Sequence, residues 1–257
     1  MLKIDRQTAI ERELSLNGSV RIPELSKMLN CSEETIRRDL KEMERADKLT
    51  RTHGGAFLMG EFDKSYPISV RQILLPDIKL KLAKRALSYI TENDLLMLDS
   101  STTCLALAEE IARTNMKVSV MTNSLKICDY VNEENVKLKL ICTGGRFRSR
   151  TASFVGYSAT DMISRYVSDC TFISCPKVTI ENGMSDNHLD ESNVRESMLK
   201  HSKKKILLMD HTKFNEPANV LFGDLSKVDV IITDKPLSAE WVEYCDTNCI
   251  SLDVVGE

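Results

Sequence analysis

No apolar run in this chain approaches the roughly 18 residues that a membrane span needs. Residues 1–14, MLKIDRQTAIEREL, are charged and helical in period, without the apolar stretch of a secretion signal. The sequence therefore predicts a cytoplasmic protein with no membrane partner. GxGxxG and Walker phosphate loops are absent, so nucleotide-dependent chemistry has no support and no cofactor is expected. The eight cysteines (31, 104, 128, 142, 170, 175, 245 and 249) include the close pairs Cys170/Cys175 and Cys245/Cys249, but neither has a matching His or Cys cluster. That argues against a structural zinc site, and no metal is expected. Most cysteines stand in apolar segments such as LKLICT and KICDYV, where buried, reduced thiols are the expectation. Internal repeats and low-complexity tracts are missing too. Nor does one sign of charge dominate: 35 basic residues face 38 acidic ones, so no broad basic field announces a nucleic-acid partner.

What is present is an ordinary globular composition in 257 residues, enough for two domains or one large α/β domain. The chain is organised around Cys31 to Leu40, CSEETIRRDL. Ser32 suits a helix N-cap, and Glu33 and Glu34 complement the positive end of the helix dipole. Ile36, Leu40 and Met43 recur at helical spacing and should face a core, leaving Thr35, Arg37, Arg38 and Lys41 free to meet a partner. A short helix over Glu24 to Leu29 precedes it through Asn30 and Cys31, with Pro23 in its first turn. Helix, tight turn and a second helix with basic residues near its start are the layout of a DNA-reading helix-turn-helix. Within residues 32–53, however, Arg37, Arg38, Lys41, Arg45, Lys48 and Arg51 are matched by Glu33, Glu34, Asp39, Glu42, Glu44 and Asp47. DNA binding then requires the bases on one face and the acids on another.

A first helix is expected over residues 3–17, with Ile4, Ile10, Leu14 and Leu16 as its apolar positions and Asn17-Gly18 as its stop. After the third helix, Leu49 and then Ala56, Phe57 and Leu58 flank His53-Gly54-Gly55, a hairpin signal. Three helices and a hairpin make a winged helix-turn-helix, with Arg51 and His53 on the wing. This segment resembles the DNA-binding domain of the DeoR family of bacterial transcriptional regulators. Arg6, Ile10 and Leu14 keep the spacing of that family's first helix. Ser32, Thr35, Ile36, Arg37, Arg38, Asp39 and Leu40 match its S-x-x-T-I-R-R-D-L core, and Arg51, His53, Gly54 and Gly55 match the wing's R-x-H-G-G. The DNA-binding domain is placed at 1–58 and a linker with a short helical piece and two prolines, Pro67 and Pro76, at 59–76.

Over 77–257, apolar runs such as Leu95–Asp99, Val118–Thr122, Val136–Thr143, Cys170–Ser174, Lys205–Asp210 and Val228–Thr233 alternate with helical stretches. That pattern predicts an α/β domain built on a mainly parallel sheet. In such sheets, ligands gather beyond the carboxyl ends of the strands. Polar clusters fall there: Asp99, Ser100, Ser101, Thr102 and Thr103, then Thr122, Asn123 and Ser124, then Thr143 with Gly144, Gly145 and Arg146. Hydroxyls and free N–H groups at helix starts suit an anion, and Lys213, after another strand, could close over the same pocket. Each cluster alone could be a plain helix cap. Their repetition points to a shared pocket.

These clusters are similar to the DeoR-family sensor domain, which resembles sugar-phosphate isomerases in fold and is thought to bind phosphorylated sugars. D-S-G-T-T appears as Asp99 to Thr103, T-N-S as Thr122 to Ser124, G-G as Gly144-Gly145, and D-x-x-K-F as Asp210, Lys213 and Phe214. Ser101 departs from the family's glycine, Arg195 from its lysine, and Cys175-Pro176 from its small residues. The resemblance implies a sequence-specific regulator, first expected to be a repressor of a sugar or related metabolic operon, with activation as the other sign. Its partners would be a double-stranded DNA operator, a sugar-phosphate effector and a second copy of itself, as a dimer or tetramer. Ser32, Thr35, Arg37 and Arg38 would lie at bases or nearby phosphates, and Lys41, Arg51 and His53 at the backbone. The other reading is a sugar-phosphate isomerase using Asp99, Glu191 or Asp210 as acid or base. No spacing singles one of these out, and residues 1–58 would then lack a role.

Overall fold

A computed structural model of the chain describes residues 2–17, 19–46, 48–52, 54–57, 66–133 and 138–256. The chain divides into two compact units, Met1–Leu74 and Leu75–Glu257.

In the first unit, α1 (Lys3–Asn17) leads to β1 (Ser19–Arg21), α2 (Ile22–Met28), α3 (Glu33–Arg45), β2 (Thr50–Arg51), β3 (Gly55–Phe57) and α4 (Ile68–Ile73). Ile10 and Leu14 of α1, Ile22 and Leu25 of α2, and Ile36, Leu40 and Met43 of α3 form one core. Ile4, expected in that stripe, is 76% exposed. It lies six residues before Ile10, about a third of a turn away from the Ile10–Leu14 face at 3.6 residues per turn. The Leu16 side chain lies outside the described residues. Helix α2 starts at Ile22, two residues ahead of the expected Glu24, with Pro23 in its first turn. It ends where Asn30 takes a left-handed conformation (φ 48°) and the Ser26 hydroxyl donates to the Cys31 carbonyl at 2.6 Å.

The hairpin is present as antiparallel β2 and β3, and β1 adds a third, unexpected strand, in the order β1-β3-β2. Only Val20 of this three-residue strand is buried, too short a pattern to show a period. Gly55 makes the pairing feasible, because a Cβ there would sit 1.9 Å from the Val20 carbonyl oxygen. Part of the stretch expected as linker joins this unit. Tyr66 packs edge-on against Phe57 with ring centroids 4.9 Å apart, and the Ser69 hydroxyl meets that of Ser19.

The second unit runs α5 (Pro76–Ala86), β4 (Leu95–Leu98), α6 (Thr102–Thr114), β5 (Ser119–Thr122), α7 (Leu125–Glu133), β6 (Lys139–Cys142), β7 (Arg146–Arg148), β8 (Ser153–Val155), α8 (Tyr157–Ser164) and β9 (Ser168–Ile173). It continues through β10 (Lys177–Thr179), β11 (Gly183–Asp186), α9 (Leu189–Lys200), β12 (Ser202–Met209), β13 (Val220–Gly223), β14 (Val230–Thr233), α10 (Ala239–Thr247) and β15 (Ser251–Val254). Seven strands form one all-parallel sheet in the order β15-β14-β12-β9-β4-β5-β6. Because side chains alternate along a strand, Leu96, Leu98, Phe172, Ile206 and Leu208 face the core under α5, α6 and α7. Met97, Ile173, Leu207, Met209 and Ile231 face the core under α8, α9 and α10. Burial on both faces is why these strands read as continuous apolar runs. The hairpin β7–β8 and the small antiparallel sheet β10-β11-β13 lie outside the main sheet. Among the described residues, no helix is long and apolar enough to cross a membrane.

Chain order proceeds outward in both directions from the adjacent β4 and β9. This reversal opens a crevice at their carboxyl ends, where ligands bind in open α/β sheets.

Candidate functional site

On α3 the Ser32 hydroxyl accepts the Thr35 N–H at 3.2 Å, capping the helix. Three acids of this helix, Asp39, Glu42 and Glu44, are tied to bases outside it, while Glu33 and Glu34 stay exposed. Asp39, 2% exposed, receives Arg6 through two hydrogen bonds, Nε to Oδ2 at 2.5 Å and the terminal nitrogen to Oδ1 at 3.1 Å. That carboxylate raises the Arg6 pKa above its ordinary value. Glu42 pairs with Lys3, which lowers the Glu42 pKa. Glu44 accepts the Arg51 backbone N–H at 2.9 Å and lies 3.6 Å from its guanidinium. The bases remain outside. Arg37 is exposed and makes only an i,i+4 pair with Glu33 at 3.0 Å, a contact worth a few tenths of a kcal/mol. Arg38 and Lys41 are exposed and form no ion pair among the described residues. Thr35 sits half-buried beside them. The outer face of the helix thus carries Arg37, Arg38 and Lys41 together with the exposed Glu33 and Glu34 of its first turn, and the segregation of charge is partial. Arg51 is engaged with Glu44, and His53 lies outside the described residues.

In the second unit the Asp99 and Lys213 clusters meet at the carboxyl ends of β4 and β9, while the clusters after β5 and β6 reach β8 and α9. Asp99, 1% exposed, accepts the Ser101 N–H at 3.0 Å on one oxygen. Its other oxygen takes the Ser174 N–H at 3.2 Å, from the end of β9, and Arg195 Nε at 2.7 Å. Lys213 Nζ donates to the Ser174 hydroxyl at 2.8 Å and stands 3.4 Å from Asp210. Burial raises the Asp210 pKa, but the Lys213 charge and the hydrogen bonds from Thr212 outweigh it and leave the carboxyl below its ordinary value. Ser101 caps α6 by accepting the Cys104 N–H at 3.1 Å, and Thr102 and Thr103 are the first, buried residues of that helix. Its added side chain is therefore folded into the cap.

Thr122 donates to the Leu98 carbonyl at 2.7 Å and accepts the Ser124 N–H at 3.0 Å. Ser124 in turn accepts the Ile127 N–H at 3.3 Å. Asn123 Nδ2 donates to the Phe154 carbonyl on β8 at 3.1 Å, while its Oδ1 is buried with no hydrogen-bond partner among the described residues. Gly145 (φ 116°) approaches β8 so closely that a Cβ would lie 2.7 Å from the Val155 carbonyl oxygen. Arg146, mostly exposed, pairs with Asp190 on α9.

Beneath these loops lies a charge network whose members the sequence does not group as a site. Glu191, 2% exposed on α9, accepts on one oxygen from Arg148 at 2.7 Å, Thr151 at 2.7 Å and Ser153 at 2.5 Å. Ser100 donates to its other oxygen at 3.3 Å. Burial opposes ionisation, yet Arg195, the hydroxyls and Arg148 prevail and set the Glu191 pKa at about 2. Arg195, one turn along α9, bridges Asp99 to Asp186. Burial lowers its pKa, but the three carboxylates raise it further and keep it charged. Asp186 moves the other way: burial outweighs Arg195 and raises it. The one sequence signal for this hub is the i,i+4 spacing of Glu191 and Arg195 on a helix. Three carboxylates hold two guanidiniums. Among the described residues this network thus leaves no guanidinium without a carboxylate partner, and Lys213 is the cation nearest the Ser174 hydroxyl above it.

The model described as the DeoR-like helix-turn-helix domain matches residues 6–61, and that described as the DeoR C terminal sensor domain matches residues 76–235. The chain is 31% identical over 256 residues to the uncharacterized HTH-type transcriptional regulator YulB of Bacillus subtilis, covering 99% of this chain and 98% of that one. It is 27% identical over 258 residues to the HTH-type transcriptional repressor GlcR of the same organism, covering 100% and 98%. It is also 30% identical over 236 residues to the L-fucose operon activator of Escherichia coli, covering 91% and 96%.

Proposed function

The chain belongs to the DeoR family of helix-turn-helix transcriptional regulators, and from that premise we propose that it reads its operator with the outer face of α3 and senses a phosphorylated sugar at the β4–β9 crevice. It is a DNA-binding regulator of carbohydrate metabolism and not an enzyme. The isomerase reading has no use for the first unit.

The observation that supports the DNA assignment is that Asp39, Glu42 and Glu44 are engaged by Arg6, Lys3 and Arg51, while Arg37, Arg38 and Lys41 stay exposed on α3. Arg37 and Arg38 lie near the helix start, where base edges are read, while Lys41 and Arg51 suit phosphates, which fix register without reading sequence. For Arg51 this means exchanging Glu44 for a phosphate. Two copies reading half-sites about one helical turn apart are the matching geometry for a dimer. Relatives of both signs exist, a repressor and an activator, and we assign repression here. A reporter with the operator overlapping its promoter should therefore rise when the gene is deleted.

Selection of bound duplexes from a random pool by the full-length protein supplies the operator. Arg38→Ala should abolish the mobility shift on that duplex while leaving the thermal melt unchanged. Wild-type affinity in this variant would overturn the assignment. For the sensor site, the support is that Asp99, Ser174 and Lys213 are linked at the carboxyl ends of β4 and β9 beside the start of α6, and that Asn123 Oδ1 is buried with no hydrogen-bond partner among the described residues. A panel of sugar phosphates and their unphosphorylated counterparts should separate in a thermal-shift assay, because a ligand at 100 times its Kd adds about 2.7 kcal/mol. Lys213→Gln should abolish the response to the phosphorylated members.

A further inference from the structure

Cys128 and Cys142 lie outside the crevice described above, and the two segments that suggested buried thiols, KICDYV and LKLICT, are the ones that contain them. The structure exposes Cys142 and half-buries Cys128. The cause is topological. Strand β6 ends the sheet, so its carboxyl-terminal residue has no strand beyond it. Leu140 of β6 packs in the same core as Ile127 and Tyr130 of α7. Cys142, two residues further along the strand, shares that face, the one covered by α7, which carries Cys128. The two thiols perturb one another's ionisation, lowering the pKa of Cys142 and raising that of Cys128. By contrast, Cys104, Cys170, Cys175 and Cys245 are buried, and Cys249 is exposed.

We propose that Cys128 and Cys142 form a redox-active dithiol that a low-molecular-weight disulfide converts to an intramolecular disulfide. Cys142 is the attacking sulfur. The hydrogen bond from Cys128, aided by the Gly144 N–H and opposed by partial burial, lowers its pKa, while Cys128 is raised by the same contact. The Cys142 thiolate attacks one sulfur of the small disulfide, giving a mixed disulfide and one small thiolate, which takes a proton from solvent. Cys128 then loses its proton and attacks the Cys142 sulfur, expelling the second small thiol. Two electrons pass from the protein to the small disulfide, so that two protein thiols and one disulfide yield one protein disulfide and two small thiols. The new bond would tie α7 to the end of β6, directly before Thr143, Gly144 and Gly145.

The test uses the reduced, full-length protein in glutathione buffers of rising disulfide fraction, quenched with iodoacetamide and mapped by mass spectrometry. The expected product is a Cys128–Cys142 linked peptide pair that dithiothreitol reverses. In Cys128→Ser, Cys142 should instead retain a glutathione adduct, formed about tenfold faster than the adduct at exposed Cys249. In Cys142→Ser, Cys128 should remain alkylatable. Both variants should melt as the wild type does. Recovery of Cys128 and Cys142 as free thiols once Cys249 is fully glutathionylated would overturn the proposal. Linkage of either to a different cysteine, or equal adduct rates at Cys142 and Cys249 in Cys128→Ser, would do so as well.

Discussion

Glu191→Gln keeps the shape of the side chain that joins β8, α9 and the loop after β4, and removes its charge. Burial of this carboxylate at 2% exposure is offset by Arg195, three hydroxyls and Arg148. The net result is a fall in its pKa from an ordinary 4.5 to about 2. At about 1.4 kcal/mol per pH unit, that difference corresponds to about 3 kcal/mol of folding stability. The range for breaking a buried pair by removing one partner, about 3–5 kcal/mol, has the same size. Relief of the repulsion that Glu191 exerts on Asp186 returns part of the loss, which favours the lower figure. For a unit the size of Leu75–Glu257, about 3 kcal/mol lowers Tm by roughly 6–12 °C.

The pH dependence follows from a depressed carboxylate pKa. The stabilisation is complete above the unfolded value of 4.5 and disappears as pH falls through about 2. The gap in unfolding free energy between wild type and Glu191→Gln should therefore be full at pH 7 and shrink steadily below pH 4.5. Calorimetry of the full-length proteins across that range measures it. A variant melting within about 2 °C of wild type at pH 7, or a gap that does not narrow in acid, would refute the reasoning.

Three further outcomes are expected. Arg37→Ala should cost roughly 1–3 kcal/mol of discrimination at one base pair of each half-site if its guanidinium meets a guanine edge, as read from competition with single-substituted operators; uniform weakening across all sequences would reassign it to a phosphate. Gly55→Ala would place a methyl 1.9 Å from the Val20 carbonyl oxygen and force β1 from β3, destabilising the first unit by at least about 1–3 kcal/mol; an unchanged melt would contradict that geometry. Ser101→Gly removes the α6 cap at a cost of a few tenths of a kcal/mol and releases the Cys104 N–H; sugar-phosphate affinity by titration calorimetry should rise, and an unchanged value would show that this amide does not face the ligand.

Legibility in the sequence followed the range of the cause. The α3 cap and stripe are local, so Ser32, Ile36, Leu40 and Met43 announced themselves, and so did the five inner strands of the parallel sheet, whose two buried faces demand unbroken apolar runs. β1 was hidden because its reason lies at Gly55, in another strand. Ile4 was misassigned because hydrophobicity alone was counted where its angle on the helix decides. In the crevice, the polar residues directly after β4, β5 and β6 could be read from position. Arg148 and Asp186 could not, and Glu191 and Arg195 entered only as a candidate acid or base and as a departure from the family's lysine, since only the fold brings the four under Asp99. Cys128 and Cys142 carry apolar neighbours in sequence, and the edge position of β6 is a property of strand order alone.

The two units solve one electrostatic problem in opposite ways. In α3, Asp39, Glu42 and Glu44 are used as tethers to Arg6, Lys3 and Arg51, so the contacts that orient the helix also leave Arg38 and Lys41 exposed and without an ion pair among the described residues. A nearly neutral segment can then bind a polyanion, because charges within a few ångströms of a phosphate outweigh those screened behind the helix. In the crevice, the guanidiniums are drawn down onto Asp99, Asp186 and Glu191, leaving a floor with one carboxylate in excess. An anion there gains nothing from the buried cations. It must instead be fitted by the amides at the start of α6, by Asn123 and by Lys213, groups whose direction matters more than their field. Selection by field suits a surface that must find a long charged duplex, and selection by direction suits a pocket that must tell one small phosphorylated molecule from another.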